Sequence, residues 1–196
     1  MADDRVYVAN RDALRAWLSE HHEDERGVWI VYDKGRGRSL RYDDIVDEAV
    51  CFGWIDSLPR SLSDRQAMLW VAPRKAKSSW SRRNKERVER LQAQGLMQPS
   101  GLAAVEAAKR NGAWSAIDAV EELREPDDLV ATLDATPRAR EFWDAFPRST
   151  KRAILEWIEA AKRPETRATR IRTTAEEASA NRRANQWRQP KSAGGA

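Results

Sequence analysis

The chain has little of what most catalytic and metal sites are built from. Of its 196 residues one is cysteine, Cys51, and two are histidine, His21 and His22. A single thiol excludes an intrachain disulfide and any all-cysteine metal site, and it fits a reducing compartment. Adjacent histidines diverge on a helix, so they cannot form the i, i+4 ligand pair of a zinc helix. Gly35 and Gly37 belong to no G-x-G-x-x-G or P-loop, which removes the common nucleotide fingerprints. No G-x-S-x-G elbow presents a serine nucleophile. No apolar run approaches the ~18 residues that a membrane span needs. The N-terminal MADDRVYVANRD is acidic and lacks an apolar centre, unlike a secretory leader. The expectation is a cytoplasmic, non-enzymatic protein, with no catalytic residue, no metal ligand and no cofactor assigned.

What is present is an ordered chain rich in tryptophan. Nine Trp and 41% hydrophobic residues outweigh the disorder signal of 34% charged residues. A chain of this length buries roughly 70% of its unfolded surface without staples. The net charge of +4 hides an alternation: −5 over residues 1–58, +6 over 72–90, −4 over 91–160 and +6 over 161–196. Two readings follow. The segments pair with one another, or the basic ones meet a polyanion.

Periodicity places a first helix over 9–22, capped by Asn10 and presenting Leu14, Trp17 and Leu18. Val28 to Tyr32 reads as a strand. A helix from Asp43 to Cys51, capped by Asp43, buries Ile45, Val46, Ala49 and Val50. Its Asp43, Asp44, Asp47 and Glu48 are expected on the outer face. Strands follow over 52–57 and 66–72, with Gly53 marking a bulge or a close backbone approach. Helices are then expected from Trp80 to Gln94, mostly facing solvent, and over 101–110. Beyond a link at 118–126 the pattern is helical throughout. The fold class is α+β, a small antiparallel sheet with flanking helices followed by an all-helical module. The division is 1–120, 126–185 and a disordered tail at 186–196.

The stretch with most chemistry lies where a strand ending at Ala72-Pro73 turns into the helix at Trp80. Free backbone N–H groups and the positive end of the helix dipole favour an anion there. Cations at a helix start oppose that dipole, so helix stability alone does not place them. Arg74, Lys75, Lys77, Ser79, Trp80, Ser81, Arg82 and Arg83, with Trp54 and Asp56 nearby, form the candidate ligand- or anion-binding site. Asp56 either pairs structurally with Arg60 or Arg74, or acts as a ligand contact or a general acid or base. Basic residues interleaved with Trp80 also suit nucleic acid, the alternative partner to an anionic ligand or a protein.

Four strings resemble one known family. DEAVCFGWIDS, APRKAKSSWSRRNKERVERL, GLMQPSGLAAVEAAKRNGAW and WIEAAKRPETRATRI, in this order, are similar to the YdeI/OmpD-associated, or bacteriocin-protection, family across about residues 5–180. The resemblance implies an N-terminal domain of YjbR/CyaY-like (frataxin-type) fold and a helical module at about 126–185. It implies a binding or stress-response role and brings no catalytic residues. The frataxin-type fold further implies iron or other cation handling by Asp43, Asp44, Asp47 and Glu48 as an alternative function.

Overall fold

The computed structural model describes residues 4–24, 26–35 and 37–189, and the chain divides into two units, 1–116 and 117–196. Of the disordered tail expected from 186, residues 190–196 lie outside the described residues. Gln189 hydrogen-bonds back to the Arg183 and Gln186 backbone.

The first unit is α+β. Its elements are β1 (Arg5–Tyr7), α1 (Arg11–His21), β2 (Val28–Asp33), α2 (Tyr42–Cys51), β3 (Trp54–Asp56), β4 (Arg60–Ser61), β5 (Gln66–Pro73), α3 (Arg82–Ala93) and α4 (Pro99–Arg110). The strand order is β1-β2-β5-β3, with β4 also on β5. The sheet is mixed where an antiparallel one was expected: β1 pairs parallel to β2, and every other pairing is antiparallel. Alternation along β2 and β5 sends Val28, Ile30, Tyr32, Leu69 and Val71 into a core with Leu14 and Leu18 of α1 and Ile45, Val46 and Ala49 of α2. Asn10 caps α1 by accepting from the Ala13 N–H at 2.9 Å.

Helix α2 is the hub, packed against α1, β3, α3 and α4. It starts at Tyr42, with the Asp44 carboxylate accepting from the Arg41 N–H at 2.8 Å, so Asp43 is not the cap. The expected acidic outer face is corrected as well. Asp47 and Glu48 are 5% and 1% exposed. Glu48 accepts from Arg11 Nε at 2.6 Å and Arg15 Nη1 at 2.7 Å. Asp47 accepts from Arg87 and Arg90 of α3 at 2.9 and 2.8 Å, and Asp43 also meets Arg87. A helix turned inward on its charged side survives because each buried carboxylate has guanidinium partners. Part of the charge alternation is thus internal pairing between the acidic segment 1–58 and the basic segment 72–90.

The second unit is helical: α5 (Asp118–Glu121), α6 (Asp127–Ala135), α7 (Ala139–Ala145), α8 (Arg148–Glu159) and α9 (Pro164–Ser179). Helix α9 packs on α6, α7 and α8. Its inward Ile171, Thr174, Ala175 and Ala178 are mostly small, which admits the bulk of Trp143, Phe146 and Ile158. Trp143 donates its indole N–H to Glu125 at 2.7 Å, and Arg140 holds the same carboxylate.

Ion pairs make this unit acid-sensitive. The Arg167 guanidinium holds the Asp128 carboxyl below its usual range, and Arg182 does the same for Glu177. A depressed folded pKa means that the stabilisation is present above the unfolded values of 3.8 and 4.5 and is lost as pH falls through the folded values. Comparing the thermal midpoints of the parent and Asp128→Asn from pH 6 to pH 2.5 should show a gap that closes toward the acid end. A gap of constant size would show that Asp128 contributes nothing through ionisation.

Candidate anion-binding site

The site is built where β5 leaves the sheet. Arg74 N–H donates to Gly53 O at 3.0 Å, extending the β3–β5 ladder by one step. Gly53 sits at φ +80°, a conformation that strains any residue with a Cβ. Residues 75–78 then turn, with Ser78 N–H donating to Lys75 O at 2.8 Å and the Asn111 amide holding Ala76 O at 2.8 Å. Trp80 closes the loop, fully buried, with its ring 5.2 Å from that of Trp114.

Arg74 folds inward over this loop. Its guanidinium lies 3.9 Å from the Trp80 ring centroid, and Nη1 donates to Ser79 O at 3.0 Å. The other two nitrogens, Nε and Nη2, are buried and have no hydrogen-bond partner among the described residues. Trp80 Nε1 is in the same state. Arg74 and Trp80 also line a cleft of about 130 Å³, with Lys75, Ala76, Ala104, Ala107 and Ala108. Burial pulls the Arg74 pKa down to about 10, with the nearby Asp56 charge the influence that resists it. The guanidinium therefore stays charged at neutral pH inside a mostly apolar wall.

The other residues expected at this site separate around it. Asp56 pairs with neither Arg60 nor Arg74: it accepts from the Tyr42 hydroxyl at 2.6 Å. Burial and that bond push Tyr42 up to about 12. Trp54 is a core residue, donating to His22 O at 3.1 Å and meeting Trp17 edge-on. Lys75, Lys77, Ser79, Arg82 and Arg83 are exposed. Helix α3 begins at Arg82, not Trp80, and the Ser81 hydroxyl is taken as its cap, accepting from Asn84 N–H at 3.3 Å. Arg82 approaches Glu86 only to 3.9 Å. The basic string thus contributes one inward arginine and a fringe of outward cations. Helix α4 was missed as a wall of the site, and the alanines at 104, 107 and 108 were its only signal.

Cys51 is fully buried, and burial pushes its thiol up to about 11. His21 stacks on Trp17 at 4.4 Å with Nδ1 at the Trp17 carbonyl, and His22 Nδ1 meets Ser19 O. Among the described residues no group of three or more His, Cys, Asp or Glu side chains is arranged to hold a metal. The acids of α2 face guanidinium groups, which repel a cation.

Fold and site together define a two-unit protein, an α+β unit with a half-buried arginine that makes no ion pair among the described residues, and a helical unit. Over residues 6–104, half of its length, the chain belongs to the family described as Domain of unknown function (DUF8412). Residues 122–181 match the family described as Bacteriocin-protection, YdeI or OmpD-Associated. The resemblance read from the sequence therefore stands for the helical part and finds no support in the first unit. For that unit the match is to the domain of unknown function instead, nothing in the comparisons supports the frataxin-type fold expected there, and its sheet carries a parallel β1–β2 pair. Comparisons with curated proteins and with solved structures find no match. Among the described residues no helix is long and apolar enough to cross a membrane, and Cys51 leaves no disulfide pair.

Proposed function

We propose that the chain is a non-enzymatic binding protein of bacteriocin-protection type whose first unit holds a small anion between Arg74, Trp80 and helix α4. One observation carries this reading: Arg74 is charged and largely buried, Asp56 acts on it only at a distance, and among the described residues it makes no ion pair and leaves Nε and Nη2 without a hydrogen-bond partner. A buried charge with no direct ion pair is expensive, and an apolar side chain of similar volume serves a purely structural role better. Stacking on Trp80 returns about 2 kcal/mol. An anion supplies the remainder, since Nε and Nη2 form the edge of the guanidinium that binds carboxylate or phosphate through two parallel bonds. The cleft is several times the ~30 Å³ share of one water in the liquid, which suits a carboxylate or phosphate group and is too small for a whole nucleotide.

Thermal scans test this with sodium phosphate and sodium acetate against chloride at matched ionic strength. At one hundred times its Kd a bound anion stabilises by about 2.7 kcal/mol. Arg74→Met should melt higher than the parent without ligand, because it removes an unpaired buried charge. It should also lose the anion-dependent rise. Equal anion responses in the two proteins would place the effect elsewhere on the surface and end this reading.

A further inference from the structure

A second cavity, of about 340 Å³, lies on the helix side of the sheet where β2 runs out toward α2. Tyr32, Asp33, Lys34, Arg38, Tyr42 and Ala67 line it, and it shares no residue with the cleft beside Arg74. Register sets Tyr32 opposite Ala67 and Ala67 opposite Ser61, and Tyr32 and Ala67 both belong to the core under the helices. Tyr32 is only 7% exposed, yet its hydroxyl makes no hydrogen bond among the described residues. Tyr42 differs, because its hydroxyl already donates to Asp56 at 2.6 Å. A phenol whose oxygen bonds to nothing costs more to bury than a phenyl ring of the same shape. Packing alone therefore does not call for tyrosine at position 32.

Two cations stand at this cavity with no acid to neutralise them. Lys34 Nζ donates to Ser61 Oγ at 2.8 Å, which keeps the ammonium on the helix side of the sheet. Arg38 donates through Nη1 to Gly35 O at 3.1 Å. Neither makes an ion pair among the described residues, whereas Arg11, Arg15, Arg87 and Arg90 all do. Burial raises the Tyr32 pKa and the Arg38 charge opposes that rise, so the phenol is a protonated donor within the field of Arg38. The acids nearby are engaged elsewhere. Asp33 accepts from the Tyr7 hydroxyl at 2.8 Å and the Gln66 amide at 3.4 Å, on the opposite face of the sheet. Asp43 and Asp44, at the start of α2, pair with Arg87 and Arg41.

We propose that this cavity binds a small phosphate monoester, with Lys34 and Arg38 on the phosphate, the Tyr32 hydroxyl donating to one of its oxygens, and the tyrosine rings against its organic part. A monoester carries a charge of about −2 at neutral pH, which two unpaired cations match. A carboxylate or a phosphodiester carries only one charge. Guanidinium and ammonium groups are the usual protein partners of phosphate. The volume falls within the range of small-molecule sites, about 300–1,000 Å³, and leaves room for an organic group beside the phosphate. Exposed cations alone would be ordinary solvated surface, and the buried, unbonded hydroxyl is what marks a ligand position. The site does not depend on the Arg74 reading, and either can fail without the other.

The test is calorimetric titration of phenyl phosphate into the full chain carrying Arg74→Met, so that the cleft beside Arg74 adds no heat. One site should appear, and benzoate, a monoanion of similar shape, should bind at least about tenfold more weakly. Tyr32→Phe in the same background should weaken phenyl phosphate about tenfold, the usual loss of one hydrogen bond to a charged group. It should melt no lower than its parent, because the hydroxyl it removes bonds to nothing in the free protein. Lys34→Gln combined with Arg38→Gln should also weaken binding at least about tenfold and remove most of its dependence on salt. Both of these positions are exposed, so the fold is kept. The proposal is overturned by the absence of heat at millimolar phenyl phosphate, by equal affinity for benzoate, or by undiminished binding in either variant. A Tyr32→Phe protein that melts well below its parent would give the hydroxyl a structural partner and would equally end the proposal.

Discussion

Glu48→Ala is expected to destabilise the first unit by about 3–5 kcal/mol, the usual consequence of removing one member of a buried ion pair. The Glu48 side chain is 1% exposed and bridges Arg11 and Arg15 at 2.6 and 2.7 Å. Without it, two guanidinium groups face each other from the same helix with no negative charge between them. Arg11 is already short of a partner at Nη2. Arg15 retains Leu96 O at 2.6 Å and the Phe52 ring, so the strain falls mainly on Arg11. With native domains stable by only 5–15 kcal/mol, the variant sits near the limit of folding. Urea titration should show an early transition of unchanged slope. Arg41→Ala, which removes an exposed partner of Asp44, should change stability by less than about 1 kcal/mol. Equal effects in the two variants would mean that the buried clamp holds nothing together.

This clamp is also what the sequence conceals best. Local signals were legible where one residue type forces one conformation. Asn10 announced the start of α1, the run from Val28 to Tyr32 announced β2, and Gly53 announced a close approach that Ser100 and Ala104 now make. The α+β class followed from those signals. Apolar periodicity, however, assigns charged positions to solvent, so it put Asp47, Glu48 and Arg87 outside. Their burial depends on partners that are 33 to 44 residues away, which no window of one helix contains. Strand β1 has three residues and no period to read, and with it went the parallel pairing. The candidate site was legible as a basic stretch and no further. Neighbouring residues in a loop point in different directions, so Arg74 turns in while Lys75 and Lys77 turn out. The wall opposite Arg74 comes from a helix thirty residues further on.

Gly101 fixes that wall, and Gly101→Ala should cost about 3 kcal/mol or more, although helix propensity argues the other way. Alanine in a helix is favoured over glycine by about 1 kcal/mol. A Cβ at residue 101, however, would lie 2.1 Å from Cys51 O, 2.7 Å from Cys51 C and 2.9 Å from Val50 O. These are backbone atoms at the end of α2, and Cys51 O also accepts from Gln98 N–H at 3.0 Å. No rotamer relieves the overlap, so α4 must move away from α2 and β3. Overpacking a well-filled site costs about 1–3 kcal/mol and more when backbone has to shift. At 4–8 °C per kcal/mol for a domain of this order, the midpoint should fall by 10 °C or more. Gly95→Ala is the control, since its Cβ meets nothing within 4 Å and only the strain of φ +69° is felt, about 1–2 kcal/mol. Because α4 carries Ala104, Ala107 and Ala108, its displacement should also open the cleft beside Arg74 and weaken the phosphate-dependent rise in midpoint. A Gly101→Ala protein that melts no lower than Gly95→Ala would show that the contact between α2 and α4 yields freely, and that the wall beside Arg74 is not held in place by it.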